Sequence, residues 1–313
     1  MVYAKRLVIL SLFICTCAAC ASRPAQERLP RDLRLSIRHL NKGTGFYNKG
    51  CFTKAARHFQ EAHERFSAAD NLQGTADSLN SLANAYYRLN DMESAQLVYD
   101  EAVELYALLN NSVGQIRALA NKSVALASAG ELPEAQAALD KADTLAERDG
   151  ALATVRLKAR AILRFKRNDV DGSEKLLSKV IRAVPKSDTK QYASAQYTMG
   201  YVLLSSRQPN KAIPYLNRAL TADRAAGDYF SIGQDLEALG DCHAQLGEHA
   251  LAATELKRSI KIYGLLNNIE KVQQVSPKLL KSASIAGTEA QTTLNWVARW
   301  LAGQWEANIC RQP

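Results

Sequence analysis

Residues 81–106 read SLANAYYRLNDMESAQLVYDEAVELY, two short amphipathic segments separated by the polar break Leu89-Asn90-Asp91. Small and aromatic residues recur in both segments at helical spacing: Leu82, Ala83, Tyr86, Ala95, Tyr99 and Ala102. Small residues let two helices approach closely, and aromatic side chains fill the space that is left on the shared face. The stretch therefore predicts a pair of packed antiparallel helices.

Slightly altered copies of this stretch occur six times along the chain. The positions equivalent to Ala95 are Ala55, Ala95, Ala135, Ser173, Ala212 and Ala252, at spacings of 40, 40, 38, 39 and 40 residues. Turn-forming residues stand five positions earlier in five of the copies, at Gly50, Asn90, Gly130, Asn168 and Gly247. The fourth copy diverges most, because Arg164 stands where an aromatic residue is expected, and its register is open. A fixed period of this length is typical of repeat proteins.

These residues make the chain resemble tetratricopeptide-repeat (TPR) proteins from residue 36 to residue 267, although its period is longer than the family's usual period of about 34. The resemblance implies an all-α fold, a right-handed superhelical solenoid of about six helix-turn-helix repeats with a C-terminal capping helix. The predicted repeats lie near residues 36–69, 76–109, 116–149, 154–187, 193–226 and 233–266. Stacked pairs bury each other's apolar faces, so the fold encloses no single globular core.

The resemblance also implies that the first helix of each pair lines a concave groove. A stripe one residue away from the packing stripe gives the candidate groove residues Asn80, Asn84, Tyr87, Asn121, Lys158, Phe165, Tyr197 and Tyr201. Amides can pair with the backbone of an extended peptide, and aromatic rings can seat apolar side chains. A second interpretation stays open, in which several of these side chains contact the next helix or are only solvated.

Peptide-clamping members of the family hold a terminal carboxylate, and this chain matches them only in part. Asn84 and Asn121 stand at the positions of two clamp residues. Asn80, Val155 and Ala159 replace the clamp's basic residues. A clamp of that kind is therefore not expected here.

The first twenty residues, MVYAKRLVILSLFICTCAAC, have the features of an export signal. Lys5 and Arg6 precede thirteen apolar residues, which are too few for a membrane span of roughly 20 and match the core of a secretory signal. The small residues before Cys20 resemble a bacterial lipobox, which implies a lipoprotein signal peptide over residues 1–19 and acylation, such as palmitate, on Cys20. Ordinary signal cleavage and an uncleaved anchor remain open as alternatives.

The same resemblance predicts where the mature protein resides. Residues 20–35 contain the lipidated cysteine and a polar, proline-containing tether. In enteric-type lipoproteins, a residue such as Ala21 after the cysteine implies sorting to the outer membrane, facing the periplasm. Acyl chains would hold the protein on that membrane.

Three of the six cysteines lie outside the N-terminal signal: Cys51, Cys242 and Cys310. Their wide separation excludes a CxxC motif. An oxidising periplasm allows one disulfide, such as Cys242 to Cys310, and the competing interpretation is that all three are free, buried thiols.

The segment 268–313 carries all three tryptophans, Trp296, Trp300 and Trp305. We predict capping helices that seal the last repeat. The alternative is a second interface, for a partner or for a homodimer through the C-terminal helix, because exposed tryptophan often marks a binding surface.

Catalytic motifs are missing from the sequence, which contains no phosphate-binding loop, GxSxG or HExxH. None of the five histidines stands at zinc-ligand spacing from another, so we expect neither an enzyme nor a metal or cofactor. The net charge is +9, but the Lys and Arg residues are scattered among acidic residues. This distribution argues against nucleic-acid binding.

The sequence therefore favours a lipid-anchored, non-enzymatic scaffold or adaptor that binds partner polypeptides in envelope assembly, secretion or pilus biogenesis. The alternative is a peptide-responsive sensor or regulator, anchored by an uncleaved N-terminal segment.

Overall fold

The computed structural model describes residues 30–146, 152–304 and 309–310, and the predictions for residues 1–19, Cys20 and Trp305 lie outside these ranges. Within them the chain is helical and no strand occurs. None of these helices is both long and apolar enough to span a membrane. The helices are α1 Arg31–Asn48, α2 Phe52–Ala68, α3 Leu72–Arg88, α4 Met92–Leu108, α5 Ser112–Ala129, α6 Leu132–Ala146, α7 Ala153–Lys166, α8 Val170–Ala183, α9 Thr189–Ser205, α10 Pro209–Ala226, α11 Tyr229–Gln245, α12 His249–Leu265, α13 Ile269–Ala286 and α14 Gln291–Leu301.

Regular helix ends produce the repeat. Most helices stop at a residue with positive φ, which Gly and Asn adopt most readily, and all five predicted turn residues have this conformation: Gly50, Asn90, Gly130, Asn168 and Gly247. The following helix then often starts with an Asp or Asn cap, whose side chain accepts a backbone N–H three residues on. These caps are Asn71, Asp91, Asn111, Asp169, Asp188, Asp228 and Asn268.

The marker positions form the contact between the two helices of each pair, as predicted. Ala55, Ala95, Ala135, Ser173, Ala212 and Ala252 are all fully buried. Ser173 has the same burial as the alanines, and Asn168 before it has the same positive φ as the other turn residues. The divergent fourth copy therefore keeps the register of the others, and the prediction of an all-α solenoid of helix pairs is confirmed.

The C-terminal segment continues and then caps the stack. The repeat signature fades after residue 277, yet α13 runs through Pro277 as a regular helix beside α12. Helix α14 returns to pack on α12, where Val297 is buried close to Gly264. The predicted capping helix is present.

The solenoid closes on itself, a feature that the repeat pattern does not predict. The turn between α1 and α2 packs against the start of α11 and the turn after α12. Phe52 meets Phe230 edge to face, with ring centroids 4.9 Å apart. Gly50 has φ +83°, and a Cβ on it would lie 2.5 Å from the Cβ of Phe230. Only glycine combines this conformation with so close an approach.

A disulfide fastens the closed ring. Cys51, in the α1–α2 turn, is bonded to Cys310 near the C-terminus, with their Cα atoms 5.4 Å apart. The pairing of Cys242 with Cys310, which the sequence allowed as one example, is therefore not formed, and the interpretation that all three thiols are free is wrong. Cys242 is a free thiol buried in helix α11, and burial raises its pKa to about 12. The curvature of the stack brings Cys51 in the first turn to the C-terminal cysteine, whereas Cys242 stays buried within α11.

Arg88, at the end of α3, also joins the two ends of the ring. Its guanidinium lies 4.9 Å from the ring centre of Phe52 and 4.5 Å from that of Phe230. Its Nη2 donates a hydrogen bond to the Gln234 side chain on α11, at 3.3 Å. Cation–π contacts of this kind stabilise by roughly 0.5–2 kcal/mol each. Cationic, aromatic and covalent contacts thus hold together residues that are 142, 178 and 259 positions apart.

Candidate functional site

The closed ring surrounds an inner cavity with two connected chambers. The first chamber has a volume of about 590 Å³ and the second about 610 Å³. Residues from all seven odd-numbered helices, α1 to α13, line the first chamber. The two chambers share the wall residues Tyr197, Tyr201, Gln234 and Lys271. The first helix of each pair therefore faces inward.

Seven of the eight predicted groove residues line the first chamber: Asn84, Tyr87, Asn121, Lys158, Phe165, Tyr197 and Tyr201. Asn80 does not, because its side chain is buried in the helix packing and only 7% exposed. Its backbone carbonyl instead accepts a hydrogen bond from the Asn84 amide. The structure thus brings the predicted residues of four different repeats to one surface and removes Asn80 from it.

An aromatic cluster forms part of the wall where the two chambers meet. The Phe165 and Tyr201 rings are in edge contact, with centroids 6.1 Å apart. Tyr197 and Tyr201 are stacked at the same centroid distance. Tyr201 is 44% exposed, so its ring presents apolar surface to the cavity. Such rigid aromatic surfaces are typical anchor points for a bound apolar side chain.

Lys158, on α7, supplies positive charge to the first chamber. Its ammonium donates a hydrogen bond to the neutral Ser194 hydroxyl at 2.9 Å. Burial and the nearby Arg88 guanidinium lower the pKa of Lys158, because both oppose a charge at this position. A carboxylate bound beside Lys158 would relieve that cost. The wall of the first chamber therefore favours an anionic group near Lys158.

The amides differ in how far they are free to bind. Asn84 donates to the Asn80 carbonyl and accepts from the Tyr99 hydroxyl at 2.7 Å, which leaves it one N–H and one lone pair. The Asn121 amide lies in the same wall and makes no side-chain hydrogen bond to the residues that the structure describes. Asn121 is thus the better placed of the two to pair with a peptide backbone.

Four charged residues of the second chamber are paired with one another. Lys278 contacts Glu237 at 2.8 Å and Asp241 at 2.7 Å, and Lys271 contacts Glu237 at 3.1 Å. Although burial opposes the shift, the two ammonium groups lower the pKa of the Glu237 carboxyl. This network ties α11 to α13. Because these charges neutralise one another, they stabilise the wall and are less available to a ligand than the charge of Lys158.

Two carboxyl groups are buried together at the wall of the first chamber. Asp235, on α11, is fully buried and contacts Asp223 at the end of α10. Burial, reinforced by the charge of Asp223, raises the pKa of Asp235 to about 10. Burial, reinforced by Asp228, raises the pKa of Asp223 to about 7. The raised pKa keeps Asp235 protonated at neutral pH, so its acid proton is available to the neighbouring Asp223 carboxylate.

Several wall residues escaped the sequence analysis: Arg88, Asp223, Gln234 and Lys271. Arg88 and Gln234 meet only because the ring is closed, whereas Asp223 and Lys271 contact the neighbouring helix α11. A charged or polar residue at a helix end is common in any solenoid, so no signal in the repeat marks them.

The tryptophans of α14 lie away from the inner cavity. Trp296 is 44% exposed, and the Arg299 guanidinium lies 5.2 Å from its ring centre. Trp300 packs against the cluster around α12. The second interface proposed for this segment, for a partner or for a second copy of the chain, stays a prediction.

Residues 34–108 and 191–264 match the model of the tetratricopeptide repeat family, so the first two and the fifth and sixth helix pairs are TPR repeats. No curated protein sequence matches the chain. Solved structures that resemble it in fold include two Rap proteins and a Cut9–Hcn1 assembly. A Rap protein complexed with competence and sporulation factor has a TM-score of 0.59 and 13% identity, over 83% of this chain and 78% of that one.

The Rap conjugation gene regulator of plasmid pLS20, in complex with the Phr* peptide, has a TM-score of 0.59 and 15% identity, over 90% of this chain and 81% of that one. The Cut9–Hcn1 hetero-tetramer of APC/C has a TM-score of 0.55 and 15% identity, over 80% of this chain and 44% of that one. At sequence identities of 13% to 15%, the similarity to these three structures establishes the fold alone.

Proposed function

We propose that this protein is a non-enzymatic peptide-binding solenoid, whose inner cavity holds an extended segment of a partner polypeptide. The observation that carries the proposal is that Lys158, a cation with a neutral partner, and the exposed aromatic surface of Tyr201 line the same chamber of a cavity walled by all seven odd-numbered helices. This combination suits a ligand that carries both an apolar side chain and a carboxylate. Asn121 offers a free amide to the backbone of such a ligand.

The structural neighbours support a peptide as the ligand. Two of them are Rap proteins, one complexed with competence and sporulation factor and one with the Phr* peptide. Their fold spans most of this chain, and the odd-numbered helices of this chain form an inward-facing wall. An inner cavity that depends on ring closure also suits a slender ligand better than a folded domain.

We further propose that the protein is exported and anchored through acylated Cys20, as the N-terminal sequence predicts. The Cys51–Cys310 disulfide supports export, because disulfides persist mainly in oxidising compartments. In that setting the protein serves as an adaptor in envelope assembly, secretion or pilus biogenesis. The alternative is a peptide-responsive sensor held by an uncleaved N-terminal segment, which the resemblance to peptide-bound Rap proteins favours.

A photo-reactive residue in the cavity tests the binding proposal. Replacing Tyr201 with p-benzoylphenylalanine is expected to capture a discrete partner on irradiation in cells, and mass spectrometry of the product identifies its sequence. Leu97 provides the matched control, since it is 67% exposed on α4 and does not line the cavity. Cross-linking at Leu97 equal to that at Tyr201, or none at either position, would contradict the proposal.

The captured peptide then allows a quantitative measurement with the Tyr197→Ala/Tyr201→Ala double variant. Removal of two aromatic anchors is expected to weaken binding by at least 30-fold, roughly the 2 kcal/mol that a hot-spot side chain contributes. Circular dichroism should show unchanged helical content. An unchanged affinity would place the binding surface elsewhere, with the tryptophan-bearing helix α14 as the next candidate.

Mass spectrometry of the mature N-terminus separates the two cellular roles. An acylated N-terminal Cys20 is the expected result and supports the anchored adaptor. A chain that retains Met1 would contradict acylation and favour the sensor held by an uncleaved segment. Cys20→Ser should release the protein from the membrane fraction if the acyl chains are its anchor.

A further inference from the structure

Two histidines and a glutamate converge on one point between α1 and α2. His39 lies on α1, and His58 and Glu61 lie on α2. The two imidazole Nδ1 atoms are 3.3 Å apart. The Glu61 Oε2 atom is 2.5 Å from the His39 Nδ1 and 3.8 Å from the His58 Nδ1. Three potential metal ligands thus lie within 4.8 Å of one another.

We propose that His39, His58 and Glu61 form a binding site for a divalent transition-metal ion of the zinc type. Two imidazoles and one carboxylate are the donor set of three-ligand zinc sites, in which water takes the fourth position. With Zn–N bonds of about 2.0–2.1 Å, two nitrogens in a tetrahedral site are about 3.3–3.4 Å apart, which the two Nδ1 atoms match. Imidazole nitrogens also suit Cu²⁺ and Ni²⁺.

The packing around the cluster holds the ligands in place. The Phe46 ring stacks on the His58 imidazole at 5.4 Å, with 7° between the planes, which fixes its orientation. The His39 and His58 side chains are only 19% and 13% exposed, whereas Glu61 is 39% exposed. Glu61 can therefore move by the fraction of an ångström that a bound ion requires, and its open side leaves room for a water ligand.

This site is separate from the inner cavity, since none of its three residues lines either chamber. The two histidines are 19 positions apart and come from opposite helices of one pair, so their spacing along the chain shows no zinc motif. A bound ion would cross-link α1 to α2 at the N-terminal end of the solenoid. The neighbouring cations Lys42 and Arg57 oppose the ion's charge, so the affinity must come from direct ligation.

Zinc titration of the full-length, tag-free protein tests the site. Isothermal calorimetry with ZnCl₂ is expected to show one saturable site that His39→Ala and Glu61→Gln each weaken at least ten-fold, and Zn²⁺ should raise the melting temperature of the wild type but not of either variant. His243→Ala is the matched control, because His243 forms a comparable pair with Glu248 at 2.6 Å without a second histidine.

The outcomes are distinguishable. Loss of binding in the two ligand variants, with His243→Ala unchanged and metal-free melting temperatures alike, supports the site. Absence of saturable binding by the wild type overturns the proposal. So does a His39→Ala or Glu61→Gln variant that binds as tightly as the wild type, since the metal would then be held by other groups, such as the N-terminal cysteines.

Discussion

Replacing Cys51 with serine is expected to lower the free energy of unfolding by about 3–5 kcal/mol, a large part of the stability of an ordinary domain. The Cys51–Cys310 bond joins residues 259 positions apart. A cross-link that closes so long a loop removes much conformational freedom from the unfolded chain, which is the main origin of disulfide stabilisation in the chain-entropy description. Urea unfolding followed by circular dichroism measures the loss.

The variant should also change how the solenoid unfolds. Each pair in an open array contacts only its neighbours, so the terminal pairs unfold most readily. When the ends are bonded together, the first helix pair is covered by the sixth pair, α11 and α12, and by the C-terminal segment that carries Cys310. Hydrogen exchange in Cys51→Ser is therefore expected to increase most in α1, α2 and α13, and least in the central pairs.

Reductant supplies the control for this prediction. Reduction of the wild-type protein should reproduce the loss seen in Cys51→Ser, whereas the Cys51→Ser/Cys310→Ser double variant should be unaffected by reductant. Cys242 contributes nothing to the difference, because it is a free buried thiol in all of these proteins. Identical urea midpoints for the wild type and the variant would show that the bond does not stabilise the ring.

The features that could be predicted from the sequence are those with a local period. Small residues at Ala95 and its equivalents recur every 38 to 40 residues, and each is buried against its own partner helix. The turn residues, such as Gly130 and Asn168, are set by a backbone conformation that few residue types adopt. Both signals lie within one repeat, so the pattern alone indicates helix pairs and their order.

Closure of the ring could not be read in the same way. It depends on the sum of small rotations between successive pairs, and no single repeat records that sum. Phe52 and Phe230 are 178 positions apart and occupy turn and helix-start positions rather than the packing stripe. The contacts of Arg88 and the pairing of Cys310 with Cys51 follow only from the curvature of the solenoid.

The inner wall is an intermediate case. A step of one residue rotates a side chain by about 100° around a helix, so a stripe next to the packing face includes positions that are close to its boundary. Asn84, one turn after Asn80, reaches the cavity, whereas Asn80 is buried. The sequence therefore indicates the wall as a surface but does not settle each of its members.

Stability is expected to fall as pH rises from 6 to 9, because of the buried pair Asp223 and Asp235. An unfolded aspartate releases its proton near pH 3.9, whereas burial raises the pKa of Asp235 to about 10 in the folded protein. The folded protein thus binds more protons than the unfolded chain across this range. The free energy of unfolding then decreases with pH, by at most about 1.4 kcal/mol per pH unit for one proton.

The Asp235→Asn variant isolates this contribution. Asparagine keeps an N–H donor for Asp223 and has no proton to lose, so the variant should lose roughly 2–4 kcal/mol less than the wild type between pH 6 and pH 9. Asp91→Asn is the matched control: Asp91 is an exposed cap of α4, and asparagine caps a helix about as well. Urea unfolding at the two pH values measures all three proteins. If Asp235→Asn and Asp91→Asn show the same pH dependence as the wild type, Asp235 is not protonated at neutral pH and the buried pair must be held by another charge.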